Sequence, residues 1–284
     1  NIKFDGEDQE LSIPVNQALP YNSDFTIEFW FKTCTDTFLG VQNIFGINKP
    51  LHFQVSSSDT TATSHSVALC AEPNNSSNMI CNQKGAISFD GKWHHVAITY
   101  WSAAKQLKYY YDGVNVHVNE SDDYTFNISG DFIIGWYYDA WNFKKYYRGY
   151  LDEFRISDTI RYTPGFSVPT GELSNDANTH ALWHFNDTNT DSIIADLSGN
   201  GRNLNITGNP QIKRFTVMEN PTGTYEVFES FNAYKWYECS NDSLPLSNGS
   251  NPTFTPSQLG SYFVRVIDGD CYIDSGCDSL AVLS

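Results

Sequence analysis

The densest chemistry in this chain lies in residues 136–147, which read WYYDAWNFKKYY. Aromatic rings offer faces on which the apolar C–H side of a sugar stacks, while carboxylate and amide groups satisfy its hydroxyls. Tyr138, Trp141, Asp139 and Asn142 are therefore the expected ligand contacts, with Trp136 and Tyr147 assigned to packing. The competing use of such rings is burial in a core or against a neighbouring module, and the exposure of Tyr138 and Trp141 separates the two readings. Carboxylates gather at Asp5, Glu7 and Asp8, and again at Asp152 and Glu153. Hard cations take several oxygen ligands, so these are candidate calcium donors if the fold brings the two groups together. The alternative is a turn at Asp5–Gly6 and an ion pair from Glu153 to Arg148 or Arg155. His94 and His95 form the obvious histidine pair, but no serine or cysteine nucleophile motif accompanies them.

These residues sit in a sequence with almost no helical periodicity. Short runs of Val, Ile, Phe, Tyr, Trp and Thr recur between Gly, Asn, Asp and Pro clusters, which is the pattern of an all-β protein. Residues 25–32 and 93–100 alternate apolar with polar, as half-buried antiparallel strands do. Asp112–Gly113 between two β-prone runs predicts a tight hairpin. Strands and turns without crossover helices imply a sandwich.

The chain has 284 residues, which suggests two domains. Gly208-Asn209-Pro210 and Asn220-Pro221 punctuate it, so the expected division is residues 1–210, a connecting segment 211–222, and a small unit 223–284. With 33 acidic against 17 basic residues the net charge is −16, which argues against nucleic acid and anionic membrane surfaces, both of which need basic patches. No apolar run is long enough to span a membrane, so direct membrane insertion is not expected. The chain opens and closes in strand-like segments and is expected to be part of a larger multidomain chain. Its six cysteines form no CxxC pair, which argues against zinc and for disulfides in an extracellular setting. Cys70 and Cys81 bracket one polar stretch, Cys239 is placed to reach Cys271 or Cys277, and Cys34 has no assigned partner. Asn-X-Ser/Thr sequons at Asn119, Asn127, Asn186, Asn205, Asn241 and Asn248 permit glycosylation in a eukaryotic secretory host, though turn chemistry explains them equally well.

Residues 4–8 leading into 11–14, the run 25–31, Gly91 to Ala97, Tyr111-Asp112-Gly113 and residues 149–157 follow one another in an order that resembles the LamG-like, concanavalin A-like jelly-roll family. The match extends over roughly residues 1–210. Residues 181–186 with 196–201 are similar to the family too, but that pair normally precedes the Phe4-Asp5-Gly6 strand, so it is either a permuted closing strand or a truncated second repeat. Trp236-Tyr237, residues 253–256 and Gly260-Ser261-Tyr262 resemble Ig-like or PKD-like modules of secreted adhesins of gliding bacteria.

The resemblance implies an antiparallel jelly-roll sandwich followed by a small Ig-like β-sandwich. It implies that the first and last core strands pair, which would bring Asp5, Asp8 and Asp152 together as ligands of a structural calcium. It also places His94 and His95 on a structural strand. Jelly-roll hydrolases carry a Glu-x-Asp-x-x-Glu strand motif, which is absent here. Asp152 and Glu153 are adjacent, and on a regular strand they would face opposite ways. The function expected is therefore non-enzymatic adhesion at the cell surface, with a glycan or surface protein as partner. Two other readings are a purely structural spacer in a stalk or fibre, and a glycoside hydrolase whose carboxylates come from separate strands.

Overall fold

The computed structural model describes all residues except 21–22, 35–39, 48–50, 58–64, 72–79, 85–90, 121–129, 139–142, 187–191, 214, 221–222, 259, 270 and 278–284. Strands dominate it, and the single helical element among the described residues is the four-residue turn Val15–Ala18. The chain forms two compact units, residues 1–33 with 37–212, and residues 34–36 with 213–284.

The first unit is a jelly-roll sandwich of two eight-stranded antiparallel sheets. In the first sheet the order is Val114–Glu120, Gln106–Tyr111, His94–Trp101, Phe25–Thr33, Arg148–Ser157, Ile2–Asp5 and Gln211–Ile212, with Thr179–Trp183 also paired to Arg148–Ser157. The second runs Ile193–Ile194, Leu204–Thr207, Glu10–Pro14, Asp131–Ile134, Gly40–Ile47, Leu51–Ser57, His65–Ala71 and Ile80–Lys84. Strand alternation fills the space between them. Phe25, Ile27, Phe29 and Phe31 point inward, and Phe29 meets Phe45 and Phe53 edge-on at 5.8 and 5.5 Å and stacks on Phe154 at 5.0 Å. The Asp112–Gly113 hairpin forms as expected, with positive φ at both residues and Tyr111 paired to Val114. A Cβ at position 113 would run into the Phe166 carbonyl oxygen, so only glycine fits that turn.

Residues 179–212 close this same unit. Trp183 pairs with Phe154, Ile206 pairs with Leu11, and Trp183, Phe185, Ile194 and Leu204 are buried in the core. The repeat-like block is thus a closing strand rather than a truncated second domain.

The outer face of the first sheet departs from the expected half-solvated surface. Thr26 and Glu28 are fully buried, because residues 158–175 cross that face as a strap. Thr26 Oγ1 donates to the Thr159 carbonyl at 2.7 Å, and Tyr110 Oη donates to the Tyr162 and Thr163 carbonyls at 3.2 and 3.1 Å. Tyr162 stacks on Phe166 at 3.6 Å. Beneath the strap, Glu28 Oε1 accepts from Arg155 Nε and Nη2 at 2.9 and 2.7 Å, while Tyr162 Oη donates to Oε2 at 2.8 Å. His95 Nε2 lies 3.3 Å from Oε2, within ion-pair range but without a hydrogen bond. Burial alone would raise the Glu28 carboxyl, but His95 and Arg155 reverse this and hold it below its ordinary value.

The second unit packs a three-stranded sheet, Val217–Glu219, Tyr225–Val227 and Thr253–Phe254, with a four-stranded one, Ser247–Gly249, Ala233–Glu238, Tyr262–Asp268 and Cys271–Asp274. Trp236 is fully buried, stacked on Phe254 at 5.3 Å and tilted against Tyr225 at 6.3 Å. Cys239 bonds to Cys277, one of its two expected partners. Cys271 is instead bonded to Cys34, the cysteine left without a partner by sequence spacing. Cys70 is disulfide-bonded and stands directly across from Cys81 in the strand register.

Glu28→Gln would leave the Arg155 guanidinium buried without its counter-charge. Its expected cost is about 3–5 kcal/mol in urea unfolding, the range for breaking a buried pair from one side.

Candidate functional site

Among the expected ligand contacts, Tyr138 is exposed at 38%, while Asp139, Trp141 and Asn142 lie outside the described residues. Tyr138 ends the short strand Trp136–Tyr138, which pairs with Lys144–Tyr146. Trp136 and Tyr147 are buried, as expected of packing residues; Trp136 Nε1 donates to Glu10 Oε2 at 2.7 Å and Lys144 Nζ sits 3.8 Å from its ring centre.

The proposed calcium ligands are not brought together. The strands carrying them do pair, but antiparallel register places Asp5 opposite Arg148 and Leu151 opposite Ile2, so Asp152 lies at the other end of the short Ile2–Asp5 strand. Asp5 instead accepts from the Glu7 N–H at 3.0 Å, closing the Asp5–Gly6 turn, and Asp8 is exposed. Among the described residues no three His, Cys, Asp or Glu side chains are grouped to hold a metal ion. The histidine pair is tied into the sheet, with His94 Nδ1 2.8 Å from Asp112 Oδ2 and His95 fully buried beside Glu28.

A different site emerges at Asp152. The Arg148–Ser157 strand pairs with Ile2–Asp5 up to Leu151 and with Thr179–Trp183 from Phe154 onward. Where it changes partner it also bulges against Phe25–Thr33: Asp152 pairs with Trp30, but the next pair is Arg155 with Glu28. One extra residue is accommodated, and Glu153 takes a left-handed φ of 52°. Leu151 and Phe154 therefore both face the core, while Asp152 and Glu153 both face outward. The expectation that adjacent carboxylates point opposite ways fails here, because it assumed a regular strand.

Asp152 and Glu153 floor a cleft of about 560 Å³ whose walls include Trp30, Trp93, Glu172 and Asn186. Both tryptophans are half-buried. Trp30 is the outward residue of an otherwise inward aromatic run, and Trp93 stands just before the His94–Trp101 strand. Residues 169–172, the end of the strap, form the remaining wall. Glu153 is held by the Leu173 N–H at 2.6 Å and by His184 Nδ1 at 2.8 Å. Asn186 Nδ2 donates to Glu172 Oε1 at 2.7 Å. The hydrogen bond that His184 donates to Glu153 raises its imidazole above its ordinary value. Burial and the adjacent Glu153 charge push the Asp152 carboxyl up to about 6, against the pull of the Asn1 amine 3.6 Å away.

The sandwich is that of a concanavalin A-like jelly roll. The profile of the concanavalin A-like lectin/glucanases superfamily matches residues 5–163, more than half the chain, and the chain belongs to that superfamily. Among curated proteins none matches. Among solved structures, a candidate carbohydrate-binding protein from Bacteroides ovatus is similar with a TM-score of 0.49 at 18% identity, covering 75% of this chain; the chain spans 62% of that protein. The SAP-like pentraxin of Limulus polyphemus aligns with a TM-score of 0.39 at 14% identity, over 56% of this chain and 75% of its own. The sialidase CBM40 of Ruminococcus gnavus bound to α2,3-sialyllactose gives 0.38 at 14%, over 51% and 85%. These likenesses concern the fold.

A carboxyl whose pKa rises on folding binds its proton more tightly in the native state, so stability falls as pH climbs from the ordinary value of 3.8 to about 6. Asp152→Asn is expected to flatten that fall and to leave the protein more stable than the parent above about pH 6. Thermal melts across this window check it.

Proposed function

We propose that this chain is an extracellular, non-enzymatic glycan-binding fragment that holds a saccharide in the cleft between Trp30 and Trp93. The observation that carries the reading is the meeting, in one cleft of about 560 Å³, of two half-buried tryptophans with carboxylate and amide groups. Rings of this kind stack on pyranose C–H faces, and Asp152, Glu172 and Asn186 supply partners for hydroxyls. Glu153 is committed to His184 and the Leu173 N–H, so it is poorly placed to act with Asp152 as an acid and nucleophile pair. This supports binding without hydrolysis.

The disulfides Cys34–Cys271 and Cys239–Cys277 fit an oxidising compartment. Among the described residues no helix is long and apolar enough to cross a membrane. The second unit, with Trp236 at its centre and Tyr262 Oη bonded back to the Gln258 carbonyl at 2.7 Å, supports an Ig-like spacer. A surface adhesin built from such pairs would tolerate weak single sites, since repetition raises effective concentration. Tyr138 and the residues after it form a separate proposed contact region.

A glycan-array screen tests both regions. Trp93→Ala is expected to weaken binding at least about tenfold, equivalent to about 1.4 kcal/mol. Binding unchanged in Trp93→Ala but lost in a Tyr138→Ala/Trp141→Ala double variant would move the site to the hairpin.

A further inference from the structure

We propose that the Trp30–Trp93 cleft selects sugars bearing a free ammonium group, that is hexosamines, over neutral and N-acetylated sugars of the same linkage. This rests on the glycan-binding reading and names its ligand class. The cleft's volume of about 560 Å³ lies in the range of small-molecule sites. Its two aromatic walls attract a cation over the ring face as well as a pyranose face. Among the described residues that line it, the charged ones are all carboxylates, Asp152, Glu153 and Glu172, and none is basic.

The three carboxylates are not equivalent. Glu153 is engaged from behind by His184, whose Nδ1 lies 2.8 Å away, and by the Leu173 N–H. Glu172 accepts from the neutral amide of Asn186. Asp152 accepts the Glu153 N–H at 3.1 Å and forms an ion pair with the Asn1 ammonium 3.6 Å away. Its neighbour across the sheet is Trp30, so the bulge sets a carboxylate beside a tryptophan on the same face. An ammonium offers three donors and a full charge to such a pair of groups, where a hydroxyl offers one donor and an acetamide adds bulk without charge. In a partly water-excluded cleft that charge counts for more than on an open surface. Uronic and sialic acids would meet like charge and are disfavoured.

The test compares three β-1,4-linked hexamers that share one stacking face and differ at C2: glucosamine, N-acetylglucosamine and glucose. Titration calorimetry of the intact chain at low salt is expected to show the glucosamine hexamer binding about tenfold or more tightly than either of the others. Raising the salt should shrink that advantage. Glu172→Gln and Asp152→Asn should narrow the ratio to about twofold, while Trp93→Ala should weaken all three. Equal affinity for the three hexamers, lost together in Trp93→Ala, overturns the ammonium preference and leaves the glycan site standing. Binding to none of them, with a Trp93-dependent hit elsewhere on the array, also overturns it. No glycan bound anywhere by the folded protein overturns the glycan reading itself.

Discussion

One buried carboxylate organises the outer face of the first sheet. A charge at Glu28, with no exposure at all, is tolerable only if donors and opposite charge surround it: Arg155 and Tyr162 donate to it, and His95 stands within ion-pair range. Two consequences follow from the same contact. Tyr162 belongs to the strap, and Arg155 Nη1 also donates to the Ser174 carbonyl at 2.8 Å, so the strap is held near both ends. Arg161 adds a two-point bond to Asp176 at 2.8 and 2.9 Å, which keeps the Asp176 carboxyl well below its usual range. For Arg155 to stand opposite Glu28, moreover, the strand must take up one residue between Asp152 and Arg155. The ion pair thus coincides with both the wall of the cleft and the bulge that forms its floor.

The bulge stores strain that its surroundings offset. A left-handed glutamate costs of the order of 1–3 kcal/mol, and Glu153 in return accepts a backbone N–H and the His184 imidazole. Those partners come from residues 173 and 184, which flank the strand that takes over the pairing at Phe154. Strand exchange, bulge and cleft are therefore one structural event.

The sandwich was legible because it rests on short-range alternation. Residues 25–31 announce an inward aromatic row, and Asp112–Gly113 announces its hairpin. The cleft was not legible, because it depends on what alternation omits. Trp30 could have been marked as the one ring on the polar face of that strand, but nothing nearby reveals that Asp152 sits beside it. Adjacent carboxylates read as opposed until a bulge is known, and residues 158–175 carry no periodic pattern although they bury Glu28. The residues expected to share a calcium are separated by register rather than by lack of pairing: the right strands meet, but running in opposite directions they separate Asp5 from Asp152. Cys34 was unassigned for a related reason, since its partner lies 237 residues away and only the tertiary fold brings the two together.

That long bond gives the chain an unusual path for mechanical load. Tension entering before Cys34 and leaving after Cys271 passes through the sulfur atoms and bypasses residues 35–270. The strap, the tryptophan at position 93, the Glu153 bulge and most of both sandwich sheets lie inside the bypassed loop. In an anchored surface protein under flow, most of the binding unit would stay off the loaded backbone. Only residues ahead of Cys34, including the Ile2–Asp5 strand and Trp30, and those after Cys271 would feel the pull directly.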